Sequence, residues 1–483
     1  MSKYDYNIIV IGGGSAGLVS SYIAAAVKAK VVLIEKHKMG GDCLNTGCVP
    51  SKALLRSAKM LSYAKRAEEF GFKQTTVEFD FKDVMQRVQN VIKAIEPHDS
   101  RERYSKLGVD CIEGEAKITS PHSVRVNGKT LTARSIIVAT GARPMIPPIL
   151  GLDKTDYLTS DNVWELKELP KKLLVLGGGA IGSEMAQAFS RLGAEVTLIE
   201  MAPQILTRED EEVIKTVTEK FTKEGIKVLV NHKAKEFIPY PNTLKKGKGT
   251  LVCEHGGKDV EIAFDKVIVA LGRTANTEGF GLEELGVELR GNKTIDATPF
   301  LQTNITSIYV CGDVTGPYQF THTAAHQAWY ASVNALFSPF KKFKADYSVI
   351  PWATFTDPEV ARVGLNEKDA KAANIPYEVT AYGIDDLDRA IADSEAHGFV
   401  KVLTSPNKDK ILGVTIVGTH AGDLIAEYIL AMKHGIGLNK ILGTIHIYPT
   451  LAEANKYAAG QWKKAHIPAF AMKILEKFHK WRR

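Results

Sequence analysis

The sequence has few cysteines and no long hydrophobic run, and both shortages exclude whole classes of protein. Five cysteines in 483 residues cannot form the disulfide framework of a small secreted protein. No apolar stretch reaches the roughly 18 residues that a membrane-spanning helix needs, and the N-terminal residues show no basic region followed by an apolar stretch. We therefore expect a cytoplasmic protein without a signal peptide. With 45% hydrophobic and 24% charged residues, the composition is that of a folded globular chain, and its length predicts about three domains.

One pattern occurs twice in the chain. Residues 7–10 and 172–176 are short apolar runs that predict buried parallel strands, and each run enters a glycine-rich turn followed by a helix. A second strand then ends in an acidic residue, Glu35 or Glu200, which in both copies lies 23 positions after the first glycine of the turn. This is the βαβ dinucleotide-binding fingerprint, in which glycines and the helix N-terminus meet the pyrophosphate and the acid binds a ribose hydroxyl. Two copies predict two bound dinucleotides, with these contacts: Gly12, Gly14, Gly17 and Glu35 in the first copy, and Gly177, Gly179, Gly182 and Glu200 in the second.

Beyond these copies, the pattern of elements changes near residue 347. Upstream, apolar runs followed by glycine predict connecting strands, whereas downstream short alternating strands and helices predict a separate α+β domain. The predicted strands are 135–139, 266–271, 308–311, 399–403 and 411–417, and a predicted helix covers 421–432. Clusters of proline and glycine at 144–148 and 276–281 indicate two domain boundaries.

The pair Cys43 and Cys48 indicates redox chemistry. A disulfide that encloses only four residues removes little entropy from the unfolded chain, so a stabilising role explains it poorly. A zinc site needs further cysteine or histidine ligands at matching spacing, and none lies nearby in the sequence, so we expect no resident metal. Pro50 suits the first position of a helix, which places Cys48 at a helix N-terminus where the dipole favours a thiolate. A disulfide that opens to such a thiolate beside a flavin acts as a two-electron relay.

The segment around this pair resembles the active-site signature of a known enzyme family. Residues 40–52 read GGDCLNTGCVPSK, which is similar to the signature of the flavin-dependent pyridine nucleotide–disulfide oxidoreductases. That family includes dihydrolipoamide dehydrogenase, glutathione reductase and mercuric reductase. The resemblance covers nearly the whole chain, because it extends to both fingerprints and to residues 303–313, 355–360 and 448–453.

The resemblance implies an α/β fold with two Rossmann-like dinucleotide-binding domains and a C-terminal α+β dimerisation domain. It implies an FAD-binding domain at residues 1–148 and 277–346, an NAD(P)-binding domain at 149–276, a dimerisation domain at 347–466 and a basic tail at 467–483. The first fingerprint then binds FAD and the second binds NAD(P)H. The other cofactor contacts that the resemblance implies are Thr140, Gly141, Gly272, Gly312, Asp313 and Ala324.

The resemblance also assigns roles to individual residues. Cys43 is the outer sulfur, which exchanges with the acceptor, and Cys48 is the inner sulfur, which contacts the flavin. Lys52 and Glu184 match the family's ion pair near the flavin; the alternative is that both are solvated charges on helix surfaces. Asp313 holds the ribityl chain of FAD, and a helix that starts near residue 321 points its N-terminus at the flavin ring.

Glu200 favours NADH over NADPH as the reductant. Its carboxylate accepts hydrogen bonds from a free ribose 2′-hydroxyl and repels a 2′-phosphate. The next four residues, 201–204, contain no arginine that could bind such a phosphate. Arg208 is the nearest arginine that could reach the ribose, and this alternative stays open.

The chain departs from its family where most members carry a catalytic histidine. Tyr448 occupies that position, followed after four residues by Glu453, which corresponds to the glutamate that orients the histidine. A phenol with a pKa near ~10 exchanges protons poorly at neutral pH compared with an imidazole near ~6.5. His446, two residues earlier, is a candidate replacement base; the alternative, a hydrogen-bonded histidine at the interface, is favoured.

With a tyrosine at this position the chain resembles mercuric reductase. The last cysteine of the chain is Cys311, however, so the C-terminal cysteine pair of that enzyme is missing. We expect a homodimer that passes electrons from NADH through flavin and the Cys43–Cys48 disulfide to a disulfide or similar small acceptor. The alternatives are reduction of mercuric or other metal ions or of quinones, then oxidation of dihydrolipoamide, and finally a flavin-bearing redox sensor or scaffold. The acceptor site is expected between subunits, with Tyr448, Glu453 and His446 from the second chain.

The basic charge of the chain is concentrated in its tail. The residues from Gln461 onward carry seven lysines and arginines against one glutamate, a net charge of +6. Since the net charge of the whole chain is +7, the rest of the chain is nearly neutral. We therefore expect no nucleic-acid-binding face. Residues 468–483 predict a helix with apolar residues on one face and basic residues around the rest. We expect this helix to pack on the dimer or to fray in solvent; the alternative is contact with an anionic membrane surface or an acidic membrane partner.

Overall fold

The computed structural model describes residues 3–73, 75–239 and 249–483. The strands are β1 (Tyr6–Ile11), β2 (Val31–Glu35), β3 (Val109–Glu113), β4 (Lys117–Ser120), β5 (Ser123–Val126), β6 (Lys129–Val138), β7 (Ala142–Pro144), β8 (Tyr157–Leu158), β9 (Lys172–Leu176), β10 (Glu195–Ile199), β11 (Lys227–Leu229), β12 (Lys233–Pro239), β13 (Gly249–His255), β14 (Lys258–Phe264), β15 (Lys266–Val269), β16 (Arg273–Ala275), β17 (Ile308–Val310), β18 (Pro351–Thr354), β19 (Glu359–Gly364), β20 (Glu378–Gly383), β21 (Phe399–Thr404) and β22 (Ile411–Gly418).

The α-helices are α1 (Ser15–Ala26), α2 (Gly41–Asn45), α3 (Cys48–Lys65), α4 (Phe81–Ile95), α5 (Arg101–Lys106), α6 (Ala180–Arg191), α7 (Glu211–Lys223), α8 (Thr321–Phe337), α9 (Glu367–Ala372), α10 (Asp388–Ala392), α11 (Ala421–Leu424), α12 (Ala426–Lys433), α13 (Leu438–Leu442), α14 (Glu453–Ala465) and α15 (Ala469–Arg482). Two compact units result: one contains Met1–Ala58, Glu78–Val196 and Lys233–Asp346, and the other contains Lys59–Val77, Thr197–His232 and Tyr347–Arg483.

The main sheet of the first unit is built around parallel strands. β1 lies between β2 and β6, β3 extends the sheet beside β2, and β17 pairs with β6, all in parallel. β5 and β4 continue from β6 in antiparallel order. The same unit contains the parallel set β8–β15–β9 and the antiparallel sheet β12–β13–β14.

Both faces of this main sheet are buried, which explains why its strands are continuous apolar runs. Side chains alternate between the faces: Ile8 and Val10 join one core cluster and Ile9 and Ile11 another. On the first face, α1 and α8 contribute small residues to the cluster, among them Ala24, Ala25, Ala328 and Ala331. Small side chains let these two helices approach closely.

The second unit holds one antiparallel sheet with the order β18–β19–β22–β21–β20. Its core cluster joins Val402 and Ile416 of that sheet to Tyr428 and Trp462 of the helices. In the same unit, Thr197–Ile199 of β10 pairs in parallel with β11. The α+β pattern predicted after residue 347 is confirmed, and so is the mixed α/β class of the chain as a whole.

Two local predictions are wrong. Pro50 is the third residue of α3 and not the first, because the helix already begins at Cys48; proline is tolerated there because the first four N–H groups of a helix have no intrahelical partner. The helix predicted over 421–432 is interrupted at Ile425, which separates α11 from α12. No helix among the described residues is long and apolar enough to cross a membrane.

Candidate active site

The first glycine-rich turn has the geometry that its fingerprint requires. Gly12 has a φ of +107°, and a Cβ there would lie 2.3 Å from the carbonyl oxygen of Ala139. A Cβ on Gly17 would lie 1.7 Å from the carbonyl oxygen of Gly12, so only glycine lets α1 pack this closely on the turn. Gly14 precedes the helix and provides no side-chain cap, which leaves the first N–H groups of α1 available to a phosphate.

The second glycine-rich turn has nearly the same geometry. Gly177 has a φ of +109°, with its Cβ position 2.4 Å from the carbonyl oxygen of Ala270, and the Cβ position of Gly182 is 1.9 Å from the oxygen of Gly177. Gly179 caps α6 without a side-chain hydrogen bond, and apart from Gly179 and its two neighbours in the chain no described residue has an atom within 4 Å of its Cβ position. The open space above Gly179 fits the close approach of a pyrophosphate.

The two acidic residues of the fingerprints are held by backbone N–H groups. The carboxylate of Glu35 accepts hydrogen bonds from Gly13 N at 2.5 Å and from His37 N at 2.7 Å. Glu200, directly after β10, accepts one from Ala202 N at 2.8 Å. Each carboxylate is therefore already oriented at the carboxyl end of its strand.

The two cysteines of the signature lie side by side as free thiols. Cys43 is in α2, Cys48 is the first residue of α3, and their side chains are joined by a hydrogen bond. The hydroxyl of Thr321, at the start of α8, lies 3.3 Å from Cys48 Sγ. The Cys43 thiol, the Thr321 hydroxyl and the charge of Lys52 together outweigh burial and lower the pKa of Cys48 to about 6. The hydrogen bond with Cys48 and burial raise the pKa of Cys43.

This asymmetry assigns different states to the two sulfurs of the reduced pair. The lowered pKa favours the thiolate form at Cys48, and the raised pKa favours the protonated thiol at Cys43. Thr321 was not predicted as part of this site. It lies 273 positions from Cys48 along the chain, and the only sequence signal was the predicted start of a helix at residue 321.

Lys52 and Glu184, predicted as an ion pair, are brought together. Lys52 Nζ lies 3.0 Å from Glu184 Oε2, with the lysine side chain 38% exposed and the glutamate side chain 7% exposed. Because α3 begins at Cys48, Lys52 lies one helical turn beyond the sulfur.

A second set of charged residues includes Asp42, the residue before Cys43. Arg273, directly after Gly272, donates a hydrogen bond to the carboxylate of Asp42 and lies 3.7 Å from Asp313 Oδ2. Burial raises the pKa of Asp313 to about 6. Neither Arg273 nor Asp42 was predicted, since no local pattern links residues so distant in the chain.

The other predicted cofactor contacts lie on turns and a helix of the first unit. Thr140 exchanges two hydrogen bonds with Asn276, at 2.7 and 2.9 Å. Gly312 N donates to Gln327 Oε1 at 2.6 Å. Three glycines have positive φ angles: Gly141 at +66°, Gly272 at +121° and Gly312 at +83°. Ala324 is buried in the first turn of α8.

Tyr448 and His446 do not form one catalytic group. The Tyr448 hydroxyl donates to Asp388 Oδ2 at 2.9 Å, and this hydrogen bond raises the pKa of the phenol. His446 is held elsewhere, with Nε2 2.9 Å from Glu427 Oε1 and a side chain only 7% exposed. The two side chains therefore have separate hydrogen-bond partners.

Tyr448 and Glu453 line a cavity of about 400 Å³ in the second unit. Its lining residues are Tyr382, Asp386, Leu387, Asp388, Tyr448, Glu453, Tyr457, Gly460, Gln461 and Lys464. Three carboxylates and one lysine line the cavity, so its lining has a net negative charge. Glu453 is buried and accepts hydrogen bonds from Thr450 N at 3.3 Å and from the Tyr457 hydroxyl at 3.4 Å.

Comparison with known proteins agrees with this geometry. Residues 6–328 match the family described as pyridine nucleotide-disulphide oxidoreductase, and residues 350–459 match its dimerisation domain. A mercuric reductase from Lysinibacillus sphaericus is 36% identical over 459 residues, which cover 95% of this chain and 83% of that protein. A dihydrolipoyl dehydrogenase from Thermus scotoductus is 36% identical over 464 residues, 96% of this chain and 98% of that protein.

Among solved structures, the HOCl-induced flavoprotein disulfide reductase RclA from Escherichia coli superposes with a TM-score of 0.83 at 26% identity and covers 95% of this chain and 99% of its own. The family matches account for most of the chain, including both glycine-rich turns, the cysteine pair and the C-terminal domain. The chain belongs to the pyridine nucleotide–disulphide oxidoreductases, the flavoenzymes that bind FAD, use NAD(P)H and dimerise through their C-terminal domain.

Proposed function

We propose that this enzyme uses the Cys43–Cys48 pair to pass electrons from NADH to a disulfide or a similar small acceptor. The observation that carries the proposal is the pair of free thiols at the start of α3, with the Thr321 hydroxyl 3.3 Å from Cys48 Sγ and the Lys52–Glu184 ion pair one helical turn away. These contacts lower the pKa of Cys48, whereas that of Cys43 is raised. A stabilised inner thiolate beside a protonated outer thiol is the arrangement expected of a dithiol that opens and closes during turnover.

The residues present fit both dinucleotides. Gly12, Gly14, Gly17 and Glu35 would hold FAD, together with Thr140, Gly141, Gly272, Gly312, Asp313 and Ala324. Gly177, Gly179, Gly182 and Glu200 would hold NADH. The uncapped helix N-terminus at Gly179 and the open space above it support the nucleotide assignment. FAD, when bound, supplies the two-electron link between NADH and the sulfur pair.

Exchange with a disulfide acceptor needs the outer sulfur to become a thiolate. Cys43, once deprotonated, attacks one acceptor sulfur to form a mixed disulfide and releases the other as a thiol after protonation. Cys48 then attacks Cys43, which closes the Cys43–Cys48 disulfide and releases the second acceptor thiol. The dithiol loses two electrons and the acceptor gains them. Lys52, paired with Glu184, keeps a positive charge close to the Cys48 thiolate.

An anaerobic titration with NADH tests this proposal. We expect a long-wavelength absorbance from the contact between thiolate and flavin in the purified, yellow protein, and NADH oxidation once an acceptor is added. Cys43→Ser should keep the absorbance and lose acceptor turnover, whereas Cys111→Ser, on β3 away from the pair, serves as the matched control. A colourless protein, or sulfurs that stay unchanged by NADH, would overturn the proposal.

Reduction of a metal cation is the second candidate function, and the cavity around Tyr448 favours it. Asp386, Asp388 and Glu453 face only Lys464 there, so a cation is attracted and an anionic disulfide is repelled. Tyr448 remains a protonated phenol at neutral pH, because its hydrogen bond to Asp388 raises its pKa, so it is not available to accept a proton. A soft metal ion can bind sulfur while the thiol proton leaves to water.

The dimerisation domain supports a homodimer, and we propose that Tyr448 and Glu453 of the second chain complete the acceptor site. We also propose that NADH is preferred over NADPH, since Glu200 would repel a 2′-phosphate; Arg208, the alternative contact, is exposed. A ratio of kcat/KM values that favours NADPH would refute this preference.

Two further proposals concern the C-terminal helix α15 and the cellular location of the protein. The apolar side chains Phe470, Ile474 and Trp481 of α15 are 68%, 60% and 80% exposed, and we propose that this helix packs on the partner subunit. Sedimentation with anionic vesicles, with and without truncation at Pro468, tests the membrane alternative. A cytoplasmic location is proposed from the scarcity of cysteine.

A further inference from the structure

The cavity lined by Tyr448 and Glu453 (the Tyr448 cavity) has aromatic walls as well as acidic ones. Tyr382 and Tyr457 also line it, and the centroids of these two rings lie 5.4 Å apart with an angle of 37° between the rings. Tyr448 and Tyr457 are 64% and 41% exposed, so both rings are accessible to a ligand. The cavity volume of about 400 Å³ lies in the range of roughly 300–1,000 Å³ that small-molecule sites have. A small organic molecule can therefore lie against these tyrosine rings.

The phenols and the carboxylates of the Tyr448 cavity are joined by hydrogen bonds. The Tyr448 hydroxyl donates to Asp388 Oδ2 at 2.9 Å, and the Tyr457 hydroxyl donates to Glu453 Oε1 at 3.4 Å. The hydrogen bond to Asp388 raises the pKa of Tyr448, and the negative charge of Glu453 raises the pKa of Tyr457. Both phenols therefore stay neutral, and each carboxylate keeps its negative charge.

This lining favours an organic ammonium group over other charged groups. Asp386 adds a third carboxylate, whereas Lys464 is the one basic residue among the described residues of the lining, so the net charge is negative and an anion is repelled. None of these lining residues carries a sulfur atom or an imidazole, the ligands that soft metal ions prefer. An alkylammonium group is attracted by both parts of the wall, because tyrosine rings interact with it as a cation and carboxylates accept its N–H groups.

A disulfide that carries ammonium groups reconciles the charge of this cavity with the chemistry of the cysteine pair. The Cys43–Cys48 dithiol is suited to the reduction of a disulfide, whereas the Tyr448 cavity attracts a cation. We propose that this cavity is a binding site for an ammonium group of the acceptor and that the enzyme reduces amine-bearing disulfides. The inference rests on the proposed function and on the proposed place of Tyr448 and Glu453 in the acceptor site.

Cystamine, a disulfide with an ammonium group at each end, is the probe. In its reduction NADH supplies two electrons and one proton, the solution supplies a second proton, and the S–S bond breaks to give two cysteamine thiols. Steady-state kinetics of the FAD-loaded dimer compare cystamine with the neutral bis(hydroxyethyl) disulfide and the anionic dithiodipropionate. The values of kcat/KM should fall in that order, with about tenfold or more between cystamine and the anion. Because its ammonium groups also make cysteamine a better leaving thiol, variants of the cavity complete the test.

Two substitutions of opposite effect separate the charge of the cavity from the reactivity of cystamine. The ratio of kcat/KM for cystamine to kcat/KM for bis(hydroxyethyl) disulfide should fall about fivefold in Asp386→Asn and rise about threefold in Lys464→Gln. Tyr457→Leu should lower this ratio about threefold, whereas Tyr457→Phe, which keeps the ring, should change it less. Asp423→Asn removes a carboxylate that is 87% exposed on α11, outside the cavity lining, and should leave the ratio unchanged.

The same ratio in Asp386→Asn, Lys464→Gln and the wild type would overturn the inference and leave the proposed function standing. A wild-type enzyme that reduces none of the three disulfides would instead overturn the proposed function. The ammonium site is then tested by calorimetry with hexamethylenediamine, which has the two ammonium groups of cystamine and carbon atoms in place of sulfur. The holoenzyme should bind this diamine at least about threefold more tightly than Asp386→Asn does, and equal affinities or no binding would overturn the site.

Discussion

Replacement of Thr321 by valine should shift the titration of the inner sulfur. With a pKa of about 6, roughly nine-tenths of Cys48 is thiolate at pH 7, against roughly one in thirty for a cysteine with the ordinary pKa of ~8.5. Valine has nearly the shape of threonine but has no hydroxyl to donate to the sulfur. A hydrogen bond to a charged group contributes about 1.5 kcal/mol at the low end of its range, which corresponds to about one pKa unit. The pKa of Cys48 in Thr321→Val should therefore rise to about 7.

The assay follows the long-wavelength absorbance of the two-electron-reduced holoenzyme as a function of pH. The thiolate is lost as the pH falls through the pKa of Cys48, so the absorbance should disappear with a midpoint near pH 6 in the wild type and about one unit higher in Thr321→Val. Thr321→Ser keeps the hydroxyl and should titrate like the wild type. The rate of alkylation by iodoacetamide, which reacts with thiolates, gives an independent measure of the same midpoint.

Identical midpoints for Thr321→Val and the wild type would show that the 3.3 Å contact between the hydroxyl and Cys48 Sγ does not stabilise the thiolate. A wild-type midpoint near the ordinary value for cysteine would refute the asymmetry of the pair altogether, and with it the assignment of Cys48 as the inner sulfur.

Three further predictions address the nucleotide site, the acceptor site and the stability of the chain. Glu200→Gln removes the charge that repels a 2′-phosphate and should reduce the kcat/KM preference for NADH over NADPH about tenfold; an unchanged preference would exclude this carboxylate from recognition. Tyr448→His should raise lipoamide turnover at least about tenfold, since a placed imidazole base contributes roughly 10²-fold or more, and a turnover equal to that of the wild type would count against a missing base. Arg66→Ala leaves Glu395, 2% exposed, without its charged partner and should lower the free energy of unfolding in urea by about 3 kcal/mol, whereas Glu69→Gln, at the exposed end of the same arginine, should change it by less than about 0.5 kcal/mol.

The parts of this protein that could be predicted from sequence are those set by local patterns. The strand 172–176 was predicted with the bounds that β9 has in the structure, because it is an apolar run that begins at a lysine and is followed by a glycine. The twin glycine turns were predictable for the same reason, since a positive φ at Gly12 and Gly177 admits no other residue at comparable cost.

Contacts between distant segments could not be predicted. Thr321 and Cys48 are 273 positions apart, and their contact depends on how α8 and α3 pack in the folded chain. Local sequence periodicity does not reveal such packing. The partner of His446 was missed for a related reason. Glu427, whose Oε1 lies 2.9 Å from His446 Nε2, is 19 positions away in the chain, and no local pattern links the two residues.

Net proton uptake or release during turnover distinguishes the two candidate classes of acceptor, which are disulfides or quinones and metal cations. Reduction of a disulfide or a quinone by NADH consumes one proton, because the acceptor takes up two protons and NADH supplies one hydride. Reduction of a metal cation releases a proton, because NADH becomes NAD⁺ and H⁺ while the metal takes only electrons.

The cavity lined by Asp386, Asp388 and Glu453, with Tyr448 held as a phenol, neither attracts an anion nor supplies a base for the protonated Cys43 thiol. At this cavity the charges favour a cation over an anionic acceptor, which is the ground for metal reduction as the second candidate. In weakly buffered solution with NADH and Hg(II) or Cu(II), we therefore expect turnover with falling pH, and Asp388→Asn should lower kcat/KM for the cation while leaving that for a neutral quinone unchanged. Rapid turnover of an anionic disulfide with rising pH, unaffected by Asp388→Asn, would show instead that the negative cavity is not the entrance for the acceptor.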